Sequence, residues 1–151
     1  MDKVQYLFFK GSWLVGSAIR WQTWGDWGHV ALQFPSGVSY ESVGLKGVIE
    51  HLGGHPRINE ATVLELHCTT SEVEAMEKWC KEQVGKGYDY RAILRFVTRS
   101  RYWSNDRWFC SELGFCASRE ASIELFSRVK PWKVHPSLLF TSPKLTSSQK
   151  V

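Results

Sequence analysis

WFCSELGFCASRE, residues 108–120, sets Phe109, Leu113 and Cys116 at i, i+4 and i+7, the spacing of one helix face. That spacing predicts a helix that starts near Trp108 or Phe109 and carries Cys110 in its first turn. A thiol there feels the unpaired amides and the positive end of the helix dipole, and both favour thiolate over thiol. The same amides can face the oxyanion of a tetrahedral intermediate. Ser111 and Glu112, the polar residues that follow Cys110, imply an accessible helix start. A buried helical cysteine is the alternative, and the stretch alone leaves both open.

A nucleophilic cysteine needs a base, and the chain has five histidines. His29 is the best placed: it follows the broken stretch TWGDWG and opens HVALQF, whose alternation predicts a strand over 29–34. His51 and His55 fall in an expected loop, His67 ends a strand and His135 precedes a proline. Pro35-Ser36-Gly37 is a turn signal, and VSYESV resumes as a strand over 38–43. Reflection about Ser36 sends position 29 to 43, which brings Glu41 near His29 on the second arm of the hairpin. A carboxylate there can set the tautomer and orientation of an imidazole. A surface histidine and an ordinary cross-strand carboxylate are the alternatives.

Further out, VQYLFF (4–9) and ATVLELH (61–67) read as strands, and residues 44–60 as a loop or irregular strand. Ser71 with Glu74 forms a capping-box pattern ahead of a helix whose apolar stripe is Val73, Met76, Cys80 and Val84. That helix is expected to stop at Gly85. Helical stretches are expected over 13–21, 91–97 and 121–129, and a frayed tail over 141–151 beyond a single domain spanning 1–140.

A chain of 151 residues can bury a core of its own, and the charged fraction of 23% is ordinary for a globular domain. The net charge of +4 is a mild excess with no dense basic run, so nucleic acid is not an expected partner. Arg95, Arg99, Arg101 and Arg107 cluster ahead of Cys110, either as a solvated face or as an electropositive rim. The four cysteines show neither a CxxC pair nor zinc-site spacing, so neither a metal nor another cofactor is expected. MDKVQYLFFKGSW lacks the pattern of a signal peptide, and no apolar run approaches the ~20 residues that span a bilayer. The expectation is synthesis in a reducing cytoplasm with free thiols; residence there, delivery by a dedicated secretion system and a phage origin all stay open.

Five short motifs, taken in order, resemble the permuted NlpC-like amidases, the YiiX-like branch of the papain-like hydrolases. They are Gly28-His29-Val30, Tyr40-Glu41-Ser42, Gly85-Lys86-Gly87-Tyr88-Asp89, Phe109-Cys110-Ser111-Glu112-Leu113 and Pro136-Ser137-Leu138-Leu139. The histidine precedes the cysteine, the reverse of the order in papain, and this order makes the resemblance specific. It implies an α+β, circularly permuted papain-like fold, a small antiparallel sheet or open barrel packed against the nucleophile helix. It also implies Cys110 as nucleophile, His29 as general base, Glu41 as the orienting residue and Tyr88 lining the cleft near the oxyanion. The implied substrate is a peptide or isopeptide bond in cell-wall peptidoglycan. A lipid acyltransferase or thioesterase on the same fold, and a catalytically silent binding module, are the other readings. The Trp-rich loop over 21–27 and the Arg-rich stretch over 97–108 depart from the family pattern.

Overall fold

The computed structural model describes residues 1–10, 25–90 and 106–148. The expected helices over 13–21 and 91–97, together with Arg95, Arg99 and Arg101, lie outside the described residues. Within them the fold is α+β, with one six-stranded antiparallel sheet and three α-helices. The strands are β1 (Asp2–Phe9), β2 (His29–Gln33), β3 (Val38–Val43), β4 (Gly47–Leu52), β5 (Thr62–Cys68) and β8 (Leu145–Ser147), in the spatial order β4-β3-β2-β1-β5-β8. The helices are α1 (Thr70–Gln83), α2 (Cys110–Glu120) and α3 (Pro136–Phe140). A separate two-residue parallel pair joins β6 (Gly87–Tyr88) to β7 (Arg107–Trp108). None of the described helices is long and apolar enough to cross a membrane.

Strand alternation divides the sheet into two faces. Tyr6, Phe8, Val30, Leu32, Phe34 and Tyr40 face a core completed by Met76 and Cys80 of α1, Phe115 of α2 and Leu139 of α3. Leu7, Phe9 and Ala31 form a second cluster with Ala61 and Val63. Gly114 lets α2 lie close on the sheet: a Cβ there would meet Tyr6 Cε1 at 3.1 Å and Leu32 Cδ2 at 3.7 Å. The Tyr6 hydroxyl spans the same contact and donates to the Gly114 carbonyl at 2.9 Å.

Several local expectations need correction. The capping box of α1 is Thr69 with Glu72, two residues before the expected Ser71–Glu74 pair. Glu72 N–H donates to Thr69 Oγ1 at 3.3 Å, and Thr69 N–H donates to the Glu72 carboxylate at 2.7 Å. Thr69 has the same hydroxyl-then-carboxylate spacing as Ser71, and it stands where β5 ends in extended conformation. Residues 47–52, expected as a loop or irregular strand, form a regular strand, β4, paired along its length with β3. The periodicity is weak there because the strand opens on Gly47 and only its first two residues are buried. Residues 121–129 are not helical: Ser122 and Arg128 take positive φ of 60° and 62°, which ends the helical path after Glu120. The tail expected to fray from residue 141 instead contributes β8, which pairs with β5 and buries Leu145.

Candidate functional site

The β2–β3 hairpin pairs Leu32 with Tyr40 and Gln33 with Ser39, the register centred on Ser36 that the turn signal predicted. Continued by two residues, that register puts Glu41 opposite Ala31 and diagonal to His29 on the same face. β3 pairs with β4 through Glu41↔Ile49 and Ser39↔His51, so His51 is diagonal to Glu41 from the other side. His55 follows Gly53-Gly54, both at positive φ (83° and 101°), a bend that returns the chain over Phe9. Three histidines therefore surround one carboxylate.

His29 Nε2 lies 2.6 Å from Glu41 Oε2, and His51 Nε2 lies 2.7 Å from Oε1. His55 Nε2 approaches Oε2 to 3.2 Å, off the line of a hydrogen bond, and is otherwise an unpartnered buried nitrogen. His55 Nδ1 accepts from the Arg57 amide at 3.2 Å, so its proton belongs on Nε2, facing the carboxylate. The His55 amide donates to Gln33 Oε1 at 3.0 Å and ties the bend to β2. Burial alone would push the Glu41 carboxyl up, but the His29, His55 and His51 imidazoles around it outweigh burial and hold the carboxyl well below the usual range.

Cys110 is the first residue of α2, as the apolar spacing predicted. Cys110 lies near enough to the His29 imidazole to favour its protonated form. Because Nε2 of His29 is engaged by Glu41, Nδ1 is the nitrogen left for the thiol. Burial disfavours protonated His29, yet hydrogen bonding to Cys110 and Glu41 prevails and raises the imidazole well above its ordinary value. The Glu41 carboxylate stabilises the protonated form of the ring.

The polar residues after Cys110 predict an accessible helix start, and the structure corrects this. Ser111 and Glu112 are fully buried, and Cys110 itself is only 2% exposed among the described residues. Ser111 Oγ donates to the Val134 carbonyl at 2.7 Å, and the Glu112 carboxylate accepts from the Phe109 amide at 3.4 Å. Both fix the start of the helix rather than its access. The strand before it is equally tied down: Ser42 Oγ donates to the Trp108 carbonyl at 2.6 Å, and Trp108 Nε1 donates to Gln83 Oε1 at 3.1 Å.

Tyr88 pairs with Trp108 across the β6–β7 ladder, which brings its ring to 5.8 Å from that of Phe109. Burial, and after it the charge of Cys110, push its phenol well up, so it stays a neutral hydrogen-bond donor beside the thiol. His29 bonds Glu41, Cys110 is among the groups that raise the His29 ring, and Tyr88 packs against Phe109, the residue before Cys110. His51 and His55, passed over in the sequence, belong to the same cluster. Their spacing from Glu41 carries no helical or strand period, and only the β3–β4 register together with the Gly53-Gly54 bend reveals it. The carboxylate oxygens of Glu41 and the ring nitrogens of His51 and His55 lie within 4.8 Å of one another, close enough to surround a metal ion. Compared with known proteins, the chain matches no family model and no curated relative.

Proposed function

We propose that this protein is a cysteine hydrolase acting on an amide or related acyl bond, with Cys110 as nucleophile, His29 as base and Glu41 as its orienting carboxylate. The observation that carries the reading is His29, bonded to Glu41 at 2.6 Å and influenced by Cys110 at the start of α2. The resemblance to permuted NlpC-like amidases supports the same assignment and a permuted papain-like fold, with a peptide or isopeptide bond of peptidoglycan as the proposed substrate.

In this mechanism His29 Nδ1 takes the thiol proton, and the sulfur forms a bond to the substrate carbonyl carbon. The carbonyl electron pair moves to oxygen, where amides of the first turn of α2 and the Tyr88 phenol are the nearby donors. Collapse breaks the C–N bond, and the imidazolium returns its proton to the leaving amine. Water, deprotonated by His29, then attacks the thioester and restores the thiol. Glu41 keeps its negative charge throughout and stabilises each imidazolium.

The test is iodoacetamide labelling at pH 6 with the modified cysteines mapped by mass spectrometry. Burial pushes the Cys68 thiol up to about 11 and the Cys116 thiol up to about 12, and raises Cys80 further, so these three should stay unlabelled. Cys110 should label alone, and His29→Ala should slow it sharply. Labelling of Cys110 no faster than Cys68, or indifferent to His29→Ala, would refute the hydrolase and leave a binding module on the same fold.

A further inference from the structure

The Glu41 cluster contains more imidazole than a cysteine–histidine pair requires. His51 and His55 both turn Nε2 toward one buried carboxylate. His55 is the informative member. It is 5% exposed, its Nε2 has no hydrogen-bond partner, and that nitrogen is aimed at Glu41 from 3.2 Å. A buried N–H without a partner is costly, so its position calls for a compensating role. Two imidazoles and a carboxylate on adjacent strands and a short bend form a donor set suited to zinc and similar divalent transition metals.

We infer that Glu41, His51 and His55 form a binding site for a divalent transition metal such as Zn²⁺, separate from the thiol of Cys110. Tetrahedral zinc with bonds of about 2.0–2.1 Å separates its ligand atoms by about 3.3 Å. One ligand atom from each of the three residues lies within 4.8 Å of the other two, with His55 Nε2 3.2 Å from Oε2 and His51 Nε2 2.7 Å from Oε1, so small side-chain shifts bring them to that spacing. At 24% side-chain exposure, His51 also provides a route of entry from solvent. One contact opposes the metal: the Arg57 amide donates to His55 Nδ1 at 3.2 Å, which keeps the proton on Nε2. Metal ligation through Nε2 moves that proton to Nδ1 and releases the Arg57 amide. The structure thus assigns metal binding an atomic signature, and it holds whether or not Cys110 is a nucleophile.

The experiment uses the full chain with Cys110→Ser, so that the thiol cannot bind the probe, and titrates Zn²⁺ by calorimetry after dialysis against a chelator. The expected result is one Zn²⁺ per chain, with at least tenfold weaker binding in His51→Asn and in Glu41→Gln. Thermal melts without metal check that both variants fold, and if one does not, the other decides. In ¹H–¹⁵N spectra, the ring nitrogens of His51 and His55 and the Arg57 amide should shift together on saturation. Zinc binding that disappears with Cys110→Ser, that survives both substitutions, or that leaves the Arg57 amide unmoved overturns the assignment.

Discussion

Glu41→Gln isolates what the carboxylate does for His29 while keeping the size of the side chain. Glu41 bonds His29 and His51 at 2.6 and 2.7 Å and has His55 Nε2 at 3.2 Å, whereas the amide has one acceptor oxygen and an NH₂ that can only donate. The oxygen is best used at the Oε2 position, which serves His29 and His55; the NH₂ then faces His51, a partly exposed ring that can present its bare nitrogen. Folding should survive with a loss of about 1–3 kcal/mol for imperfect pairing. The imidazolium of His29 loses a charge-assisted hydrogen bond of about 1.5–3 kcal/mol, so the ratio of thiolate–imidazolium to thiol–imidazole falls by roughly ten- to a hundredfold. The assay is the rate of Cys110 alkylation by iodoacetamide between pH 5 and 9 with a chelator present, alongside NMR titration of the His29 ring. Alkylation at pH 6 should slow by roughly tenfold or more, and the His29 titration should move down by about one to two pH units. A profile that superimposes on wild type in a folded Glu41→Gln protein would refute the role given to the carboxylate.

Gly47→Ala should be strongly destabilising. Gly47 has φ of +73°, and a Cβ there would run into the Lys86 backbone carbonyl, which already accepts from the Val48 amide at 2.8 Å. The left-handed conformation alone costs about 1–2 kcal/mol and the overlap a further 1–3 kcal/mol, so a thermal melt should drop by roughly 4 °C or more. Thr69→Ala removes the hydroxyl that accepts from the Glu72 amide in the observed capping box and should cost about 1 kcal/mol in a urea melt, whereas Ser71→Ala should be near neutral. Tyr6→Phe deletes the buried hydroxyl that links β1 to the Gly114 carbonyl and should cost about 1 kcal/mol by the same measurement. Because the Glu41 carboxyl is held low in the folded protein, its contribution is present above the ordinary value of 4.5 and is lost as pH falls below it. The wild-type melting temperature should therefore fall between pH 5 and 3 by more than that of Glu41→Gln.

Much of the local architecture was legible in the residues. The i, i+4, i+7 spacing around Cys110 located α2 to within a residue of its start, and the Pro35-Ser36-Gly37 turn set a hairpin register that puts Glu41 beside His29. Both follow from short-range geometry: a helical period and a reflection about a tight turn need no knowledge of the rest of the chain. Long-range packing decided what these signals could not. β4 and β8 form because β3 and β5 offer unpaired edges, although their own sequences are too polar or too short to announce strands. Ser111 and Glu112 look like surface residues but are buried, because the Val134 carbonyl and the Phe109 amide satisfy them from inside. His51 and His55 lie in a glycine-bracketed stretch without periodicity, and the β3–β4 register and the bend at Gly53-Gly54 bring them to Glu41. The sequence by itself determined which residues begin the helix and the hairpin, since those depend on neighbours a few positions away. Only the tertiary structure determined that one carboxylate serves three histidines, since that convergence depends on strand pairing across the sheet.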